Sequence, residues 1–160
     1  EWGDLTMRSI LIQILLSLLC WLGVLSTPPV LAAATNADLS RQPAIEITVG
    51  LGNADDELKF VPDHLEFFAG KRYKLLLSNP SNQKHYFTAK DFADGIWTQK
   101  VEAGKVEVKG AIHELELKPS AQAEWLFVPI KPGNYQLYCT IPGHAEAGMK
   151  GSILVSVLPS

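Results

Sequence analysis

Cysteine is nearly missing from this chain, with only Cys20 and Cys139 among 160 residues. Cys20 lies inside an apolar leader, so a disulfide scaffold is excluded and Cys139 is left as a lone thiol. Methionine is as rare, at Met7 and Met149. No run of Lys and Arg appears, and the formal charge of −3 implies neither a nucleic-acid partner nor electrostatic membrane attachment. Long helical periodicity is missing, which excludes a helix bundle. There is no Ser–His–Asp order, carboxylate pair or phosphate-binding glycine loop to mark a familiar catalytic apparatus.

The excess hydrophobicity sits at the front. Arg8 precedes the run Ile10 to Leu25, in which Gln13 and Ser17 are the clearly polar residues; Pro28-Pro29 and small residues follow. This order is that of a secretory signal, with cleavage expected after Ala32 or Ala34. Acidic Glu1 and Asp4 fit a signal's start badly, so Met7 is the expected true start. Sixteen apolar residues fall short of the ~20 that span a bilayer. Leu19 stands where a lipoprotein signal carries a small residue. Residues 1–34 are therefore expected to be a signal peptide and 35–43 a flexible lead-in. The chain is expected to be exported, to a periplasm or a thylakoid lumen, with no stable membrane insertion after cleavage.

From Ala44 onward short β-type runs alternate with turn residues. They are AIEITVG (44–50), RYKLLLSN (72–79), KHYFT (84–88), KVEVKG (105–110), IHELELK (112–118), AEWLFVP (123–129), NYQLYC (134–139) and KGSILVSVL (150–158). Helical turns are expected only near 53–58 and 91–97. Seven or eight strands with turn signals every 8–12 residues predict an all-β antiparallel sandwich filling 44–160. Trp97 and Trp125 are expected core aromatics, and the stretch 88–114 reads as an insertion.

Within YCTIPGHAEAGM, Tyr138 to Met149, a thiol, an imidazole and a thioether stand at C-x4-H-x4-M spacing. Alternation puts Tyr135, Leu137 and Cys139 on one face of a strand. A loop then returns the chain to a final strand whose Ile153, Val155 and Val157 share a face. Cys139, His144 and Met149 can thus converge at one end of the sandwich. A closed site needs a fourth donor. His85 follows a turn and starts an apolar strand, where its ring can point inward. His64, after Pro62-Asp63, reads as a loop or edge residue, and His113, among Glu114, Glu116 and Lys118, as part of a solvated face. Two imidazoles, a thiolate and a weak thioether are the donors of a blue-copper electron-transfer site, acceptable to both Cu(I) and Cu(II).

NPSNQKHYF, followed 54 residues after His85 by YCTIPGHAEAGMKG, resembles the cupredoxin, or type 1 blue copper, family of plastocyanin- and azurin-like proteins. The loop spacing is most similar to its rusticyanin and auracyanin type. The resemblance implies an eight-stranded Greek-key sandwich binding one copper ion, Cu(I) or Cu(II), through His85, Cys139, His144 and Met149. It implies an electron carrier rather than an enzyme, a monomer docking transiently with redox partner proteins. His144 would be the electron port, with Ile141, Pro142, Gly143, Ala145 and Ala147 as an apolar collar and Tyr138 beside a second route. Thr140 matches the family's small hydroxyl residue after the cysteine. Tyr86 stands where the family commonly has Asn, and cannot make that residue's bonds to the ligand loop.

Other copper chemistries fit less well. A binuclear centre needs two bridging thiolates, and a multicopper oxidase or nitrite reductase commonly carries His-Cys-His where this chain has Tyr138-Cys139-Thr140. The rival on the same fold is a copper carrier, storage or site-assembly protein. Those favour exposed Met and His clusters, whereas Met149 is the one methionine after the leader.

Overall fold

Eleven strands, one short helix and a 3-10 turn make up the computed structural model, which describes residues 38–159. The expected signal (1–34) and residues 35–37 of the lead-in lie outside the described residues. The strands are β1 (Ile45–Leu51), β2 (Phe60–Val61), β3 (His64–Phe68), β4 (Tyr73–Ser78), β5 (His85–Thr88), β6 (Ile96–Ala103), β7 (Val106–Val108), β8 (Glu114–Leu117), β9 (Gln122–Pro129), β10 (Gly133–Tyr138) and β11 (Lys150–Ser156). The helix α1 is Lys90–Ala93. One sheet runs β2-β1-β4-β9-β6-β7, the other β3-β11-β10-β5-β8. The expected all-β sandwich is the observed fold. Two neighbouring pairs, β1–β4 and β3–β11, are parallel within the otherwise antiparallel ladders.

Each run expected to be a strand is one. Three further strands escape the sequence pattern, one of them the two-residue β2. In β3, buried Leu65 and Phe67 alternate with exposed His64, Glu66 and Phe68, but Pro62-Asp63 just before it reads as a turn. In β6 a register shift between Thr98 and Lys100 breaks the alternation, so the stretch looks like connecting chain. The expected insertion is therefore largely sheet, with β6 pairing along β9. Of the two expected helical turns, the one at 91–97 becomes α1, while 53–58 holds only turns and bends. Trp97 is not a core residue. It is 46% exposed on β6, whereas Trp125 is buried. Val157, past the end of β11, is also exposed. Residues 38–41 of the expected flexible lead-in form a 3-10 turn capped by the Asp38 side chain, and Arg72 Nη1 donates to the Gln42 carbonyl at 2.9 Å.

Rings from both sheets meet in one core. Phe67 lies against Phe92 with centroids 5.5 Å apart, and against Phe127 at 5.3 Å. Phe127 in turn meets Trp125 at 5.5 Å. Four residues are too few for a self-supporting helix; α1 is held by the complete burial of Phe92.

This architecture brings one end of three strands together. His85 is the first residue of β5, Cys139 follows the last residue of β10, and Met149 precedes the first of β11. Tyr138 pairs with Lys150 across β10–β11 and with Thr88 across β10–β5.

Gly151 in β11 lets β3 approach. A Cβ there would stand 2.1 Å from the Asp63 carbonyl oxygen, the group that accepts from Ser152 N at 2.9 Å. Gly151→Ala is expected to lower the unfolding free energy by about 1–3 kcal/mol, the usual cost of forcing an extra carbon into packed structure. Urea denaturation measures it; an unchanged midpoint contradicts this account of the β3–β11 junction.

Candidate metal centre

His85 is held from both sides of its position in the chain. The preceding turn is fixed by Asn79, whose buried side-chain amide donates to the carbonyls of Gln83 at 2.7 Å and Leu117 at 2.8 Å. Its Oδ1 accepts from Ser81 N. Ser81 Oγ donates to Asp56 Oδ1 at 2.7 Å, and Asn82 N donates to the same oxygen. These bonds, led by the Ser81 hydroxyl, hold the Asp56 carboxyl below its ordinary range. Downstream, β5 pairs with β8 from His85–Leu117 to Thr88–Glu114.

The ring of His85 is fully buried, and neither Nδ1 nor Nε2 has a hydrogen-bond partner. Native proteins rarely leave a buried polar atom so, and such an atom calls for an explanation. Burial, reinforced by nearby His144, lowers the imidazole's pKa against a smaller opposing pull from Asp56. The neutral ring that results is the form that binds a metal. Gly52, at φ +76°, leaves room for it: a Cβ there would lie 3.1 Å from His85 Nε2.

The ligand loop begins where β10 ends and is tied across its own ends. Cys139 N donates to the Met149 carbonyl at 3.0 Å, and Met149 N donates to the His144 carbonyl at 2.8 Å. Between them His144 N donates to Ile141 O and Ala147 N to Gly143 O. A loop so bonded keeps its shape without help from a ligand. It sets Cys139 Sγ 3.6 Å from His144 Nδ1, and the His144 ring 5.3 Å, centre to centre, from that of His85. One donor atom from each of His85, Cys139 and His144 lies within 4.8 Å of the others, a span that one metal ion can bridge. Orphaned imidazole nitrogens facing a thiol and a second imidazole are what a soft or borderline metal requires. The residues fit copper.

A match to the model of the copper-binding proteins of the plastocyanin/azurin family covers residues 47–156. The chain belongs to that family. Like other cupredoxins, it has a copper site, and His85, Cys139 and His144 are positioned to hold a single ion. Among solved structures, dithionite-reduced auracyanin from the photosynthetic bacterium Roseiflexus castenholzii is 20% identical with a TM-score of 0.51, over 71% of this chain and 99% of that one. A copper nitrite reductase from Thermus scotoductus is 18% identical with a TM-score of 0.54, over 74% of this chain and 32% of that one. For the copper nitrite reductase of Nitrosomonas europaea the values are 15% and 0.54, over 76% and 52%. At these identities the likeness is one of fold. No curated protein sequence matches the chain.

The remaining expected residues fall as follows. Met149 is buried, with its backbone closing the loop. His144 is half-buried, beside half-buried Ile141 and Ala145 and exposed Pro142, Gly143 and Ala147. Tyr138 is half-buried and lines a hollow of about 310 Å³ with Ala145 and Lys150. The Tyr86 backbone N–H donates to Cys139 Sγ at 3.4 Å, while its phenol turns away to Glu116. Exposed Thr140 donates its hydroxyl to Glu114. His64, on the edge strand β3, bonds Ser152, and His113 bonds Asp94, both outside the cluster. The sequence reading passed over Gly52, Asn79, Asp56 and Glu114. There Asn79 reads only as the end of a strand and Glu114 only as part of a solvated face.

Because the folded pKa of His85 is below its ordinary value of 6.5, the unfolded chain takes up a proton that the folded copper-free chain refuses. This contribution to stability is present above pH 6.5 and is lost as pH falls through the lower folded value. The copper-free chain is therefore expected to weaken on mild acidification, and His85→Gln to flatten that part of the profile. Urea unfolding against pH is the measurement, and parallel profiles for the two proteins refute the assignment.

Proposed function

We propose that this chain is an exported mononuclear blue-copper electron carrier, liganded by His85, Cys139, His144 and Met149, that exchanges single electrons with redox proteins by transient docking. The observation that carries the reading is the buried, unpartnered His85 imidazole beside the Cys139 thiol and the half-buried His144. Copper bound there supplies a Cu(II)/Cu(I) couple. The chain's contribution is a donor set that need not rearrange between the two states. Cys139 gives a thiolate at the end of a paired strand, and the cross-loop bonds of Met149 keep the three loop donors together. His85 is fixed by the Asn79 turn on one side and the β5–β8 ladder on the other.

His144 brings the site to the surface. Its neighbours Ile141, Pro142 and Ala145 form a small apolar rim, suited to contact that forms and dissolves quickly, since weak redox encounters bury little area. Asp91, Asp94 and Glu102 do not gather into an acidic docking run along the sequence, so apolar contact is the proposed mode. Export to a periplasm or thylakoid lumen is supported by the leader-like residues 1–34, and the chain is taken to act as a monomer.

A copper carrier or storage protein on the same fold is the second reading. Handing over a metal needs ligands that an acceptor can reach, yet Cys139 is 1% and Met149 0% exposed. That favours moving the electron rather than the ion. Copper exchange with a chelating acceptor is expected to be slow and electron self-exchange fast; the reverse order would establish the carrier.

Purified copper-free protein is expected to bind one equivalent of Cu(II) and turn intensely coloured through thiolate-to-Cu(II) charge transfer. Cys139→Ser is expected to abolish the colour. A colourless complex, or colour that survives the substitution, refutes the site. Met149→Leu is expected to keep the colour and raise the reduction potential in voltammetry, because a weak donor to Cu(II) is removed. A potential that stays or falls removes Met149 from the ligand set.

A further inference from the structure

The two strands that deliver His85 and Cys139 are joined weakly. β5 and β10 share the single register pair Tyr138–Thr88. With the Tyr86 phenol turned toward Glu116, the side chain after the first ligand does nothing to tie that strand to the ligand loop. The connection comes from a third strand. Glu114 on β8 lies opposite Thr88 in the β5–β8 ladder. One of its oxygens, Oε2, accepts from Thr88 Oγ1 and from Thr140 Oγ1, each at 2.8 Å. Thr140 is the residue after Cys139. A single carboxylate oxygen thus pins the ligand loop to the strand that carries His85. The Tyr86 N–H donating to Cys139 Sγ lies across the same strand-to-loop junction.

We propose that Glu114 is a positioning residue of the copper site: it sets the distance between the His85 strand and the Cys139 loop through the hydroxyls of Thr88 and Thr140, and its charge favours the oxidised state. The inference rests on His85 and Cys139 being copper ligands. Bonds from hydroxyls to a carboxylate are stronger than neutral ones, and here two share an acceptor that bridges segments 26 residues apart on either side. The sign of the electrostatic part follows from Coulomb's law. A negative group near the ion stabilises the state of higher positive charge and so lowers the reduction potential.

Glu116 supplies the matched control. It lies on the same strand, carries the same charge and bonds Tyr86 and Lys84, with no bond to the ligand loop. Two properties are to be compared in the wild-type chain and in E114A, E114Q and E116A. One is the amide hydrogen exchange in the copper-free protein of Tyr86 and Cys139, whose N–H groups donate to Cys139 Sγ and to the Met149 carbonyl. The other is the copper-release rate, visible spectrum and potential of the loaded protein. E114A is expected to speed exchange at both amides and to hasten copper release by about 10–100-fold, the range for losing a group that orients a ligand. In E114Q the amide oxygen can still accept both hydroxyls. That protein is expected to keep the spectrum and the slow exchange while its potential rises. In a T140V background E114A is expected to add less than it does alone, since the two share one bond. E114A with wild-type exchange, release and potential overturns the proposal, and so does E116A matching E114A. A wild-type chain that binds no copper would refute the ligand assignment, while amide exchange in the copper-free protein would still decide whether Glu114 braces the loop.

Discussion

An imidazole is buried at one end of this sandwich with neither nitrogen hydrogen-bonded, and the surrounding structure is organised around tolerating that. Leaving a polar group desolvated and unpaired costs about 1–3 kcal/mol. His85 accepts the penalty because its backbone has no freedom to escape. The Asn79 amide clamps the turn before it and β8 pairs along the strand after it, while Gly52 leaves the space the ring fills. The stored cost becomes binding energy once a metal supplies the missing partner. A site assembled this way is ready before the ion arrives.

The second half of the site solves a different problem. Cys139, His144 and Met149 share one loop, whose side chains could easily collapse onto each other or fray outward. The loop is instead closed at its base by Cys139 N to Met149 O, and folded inward by Met149 N to His144 O. Because β10 and β11 are adjacent and in register up to Tyr138–Lys150, the loop springs from a fixed base. Rigidity at both halves matters for the chemistry. An electron moves readily only when the donors need not move with it, and a donor set held by sheet ends meets that condition better than one held by mobile loops.

How much of this could be read from residues alone follows from the range of the interactions. The cluster of His85, Cys139 and His144 was legible because Cys139 and His144 are near in sequence, and because His85 opens a strand whose alternation is clean. The strands were legible wherever one face is apolar and the other polar. β6 was not, since its bulge shifts the alternation midway and Trp97 ends up facing solvent. β3 was missed behind Pro62-Asp63, although its burial pattern is regular. Asp56 and Glu114 carried no local mark at all. Each works through partners about 26 residues away, and in the sequence Glu114 looks like any carboxylate on a solvated strand. Local pattern reveals ligands; the groups that brace them depend on register.

That division bears on how such a site can change its properties without losing its metal. A tie made by the residue next to a ligand can hardly be altered without disturbing the ligand itself. In this chain the Tyr86 side chain makes no such tie, and only its backbone N–H contacts Cys139 Sγ. The tie has passed to a carboxylate on a neighbouring strand, which touches no donor. Such a brace can lose its charge and, with an amide oxygen still accepting both hydroxyls, leave His85, Cys139 and His144 where the sheets put them. On the proposal above, holding the ligands in place and setting the energy of the electron become separable tasks of one carboxylate, its bonds doing the first and its charge the second.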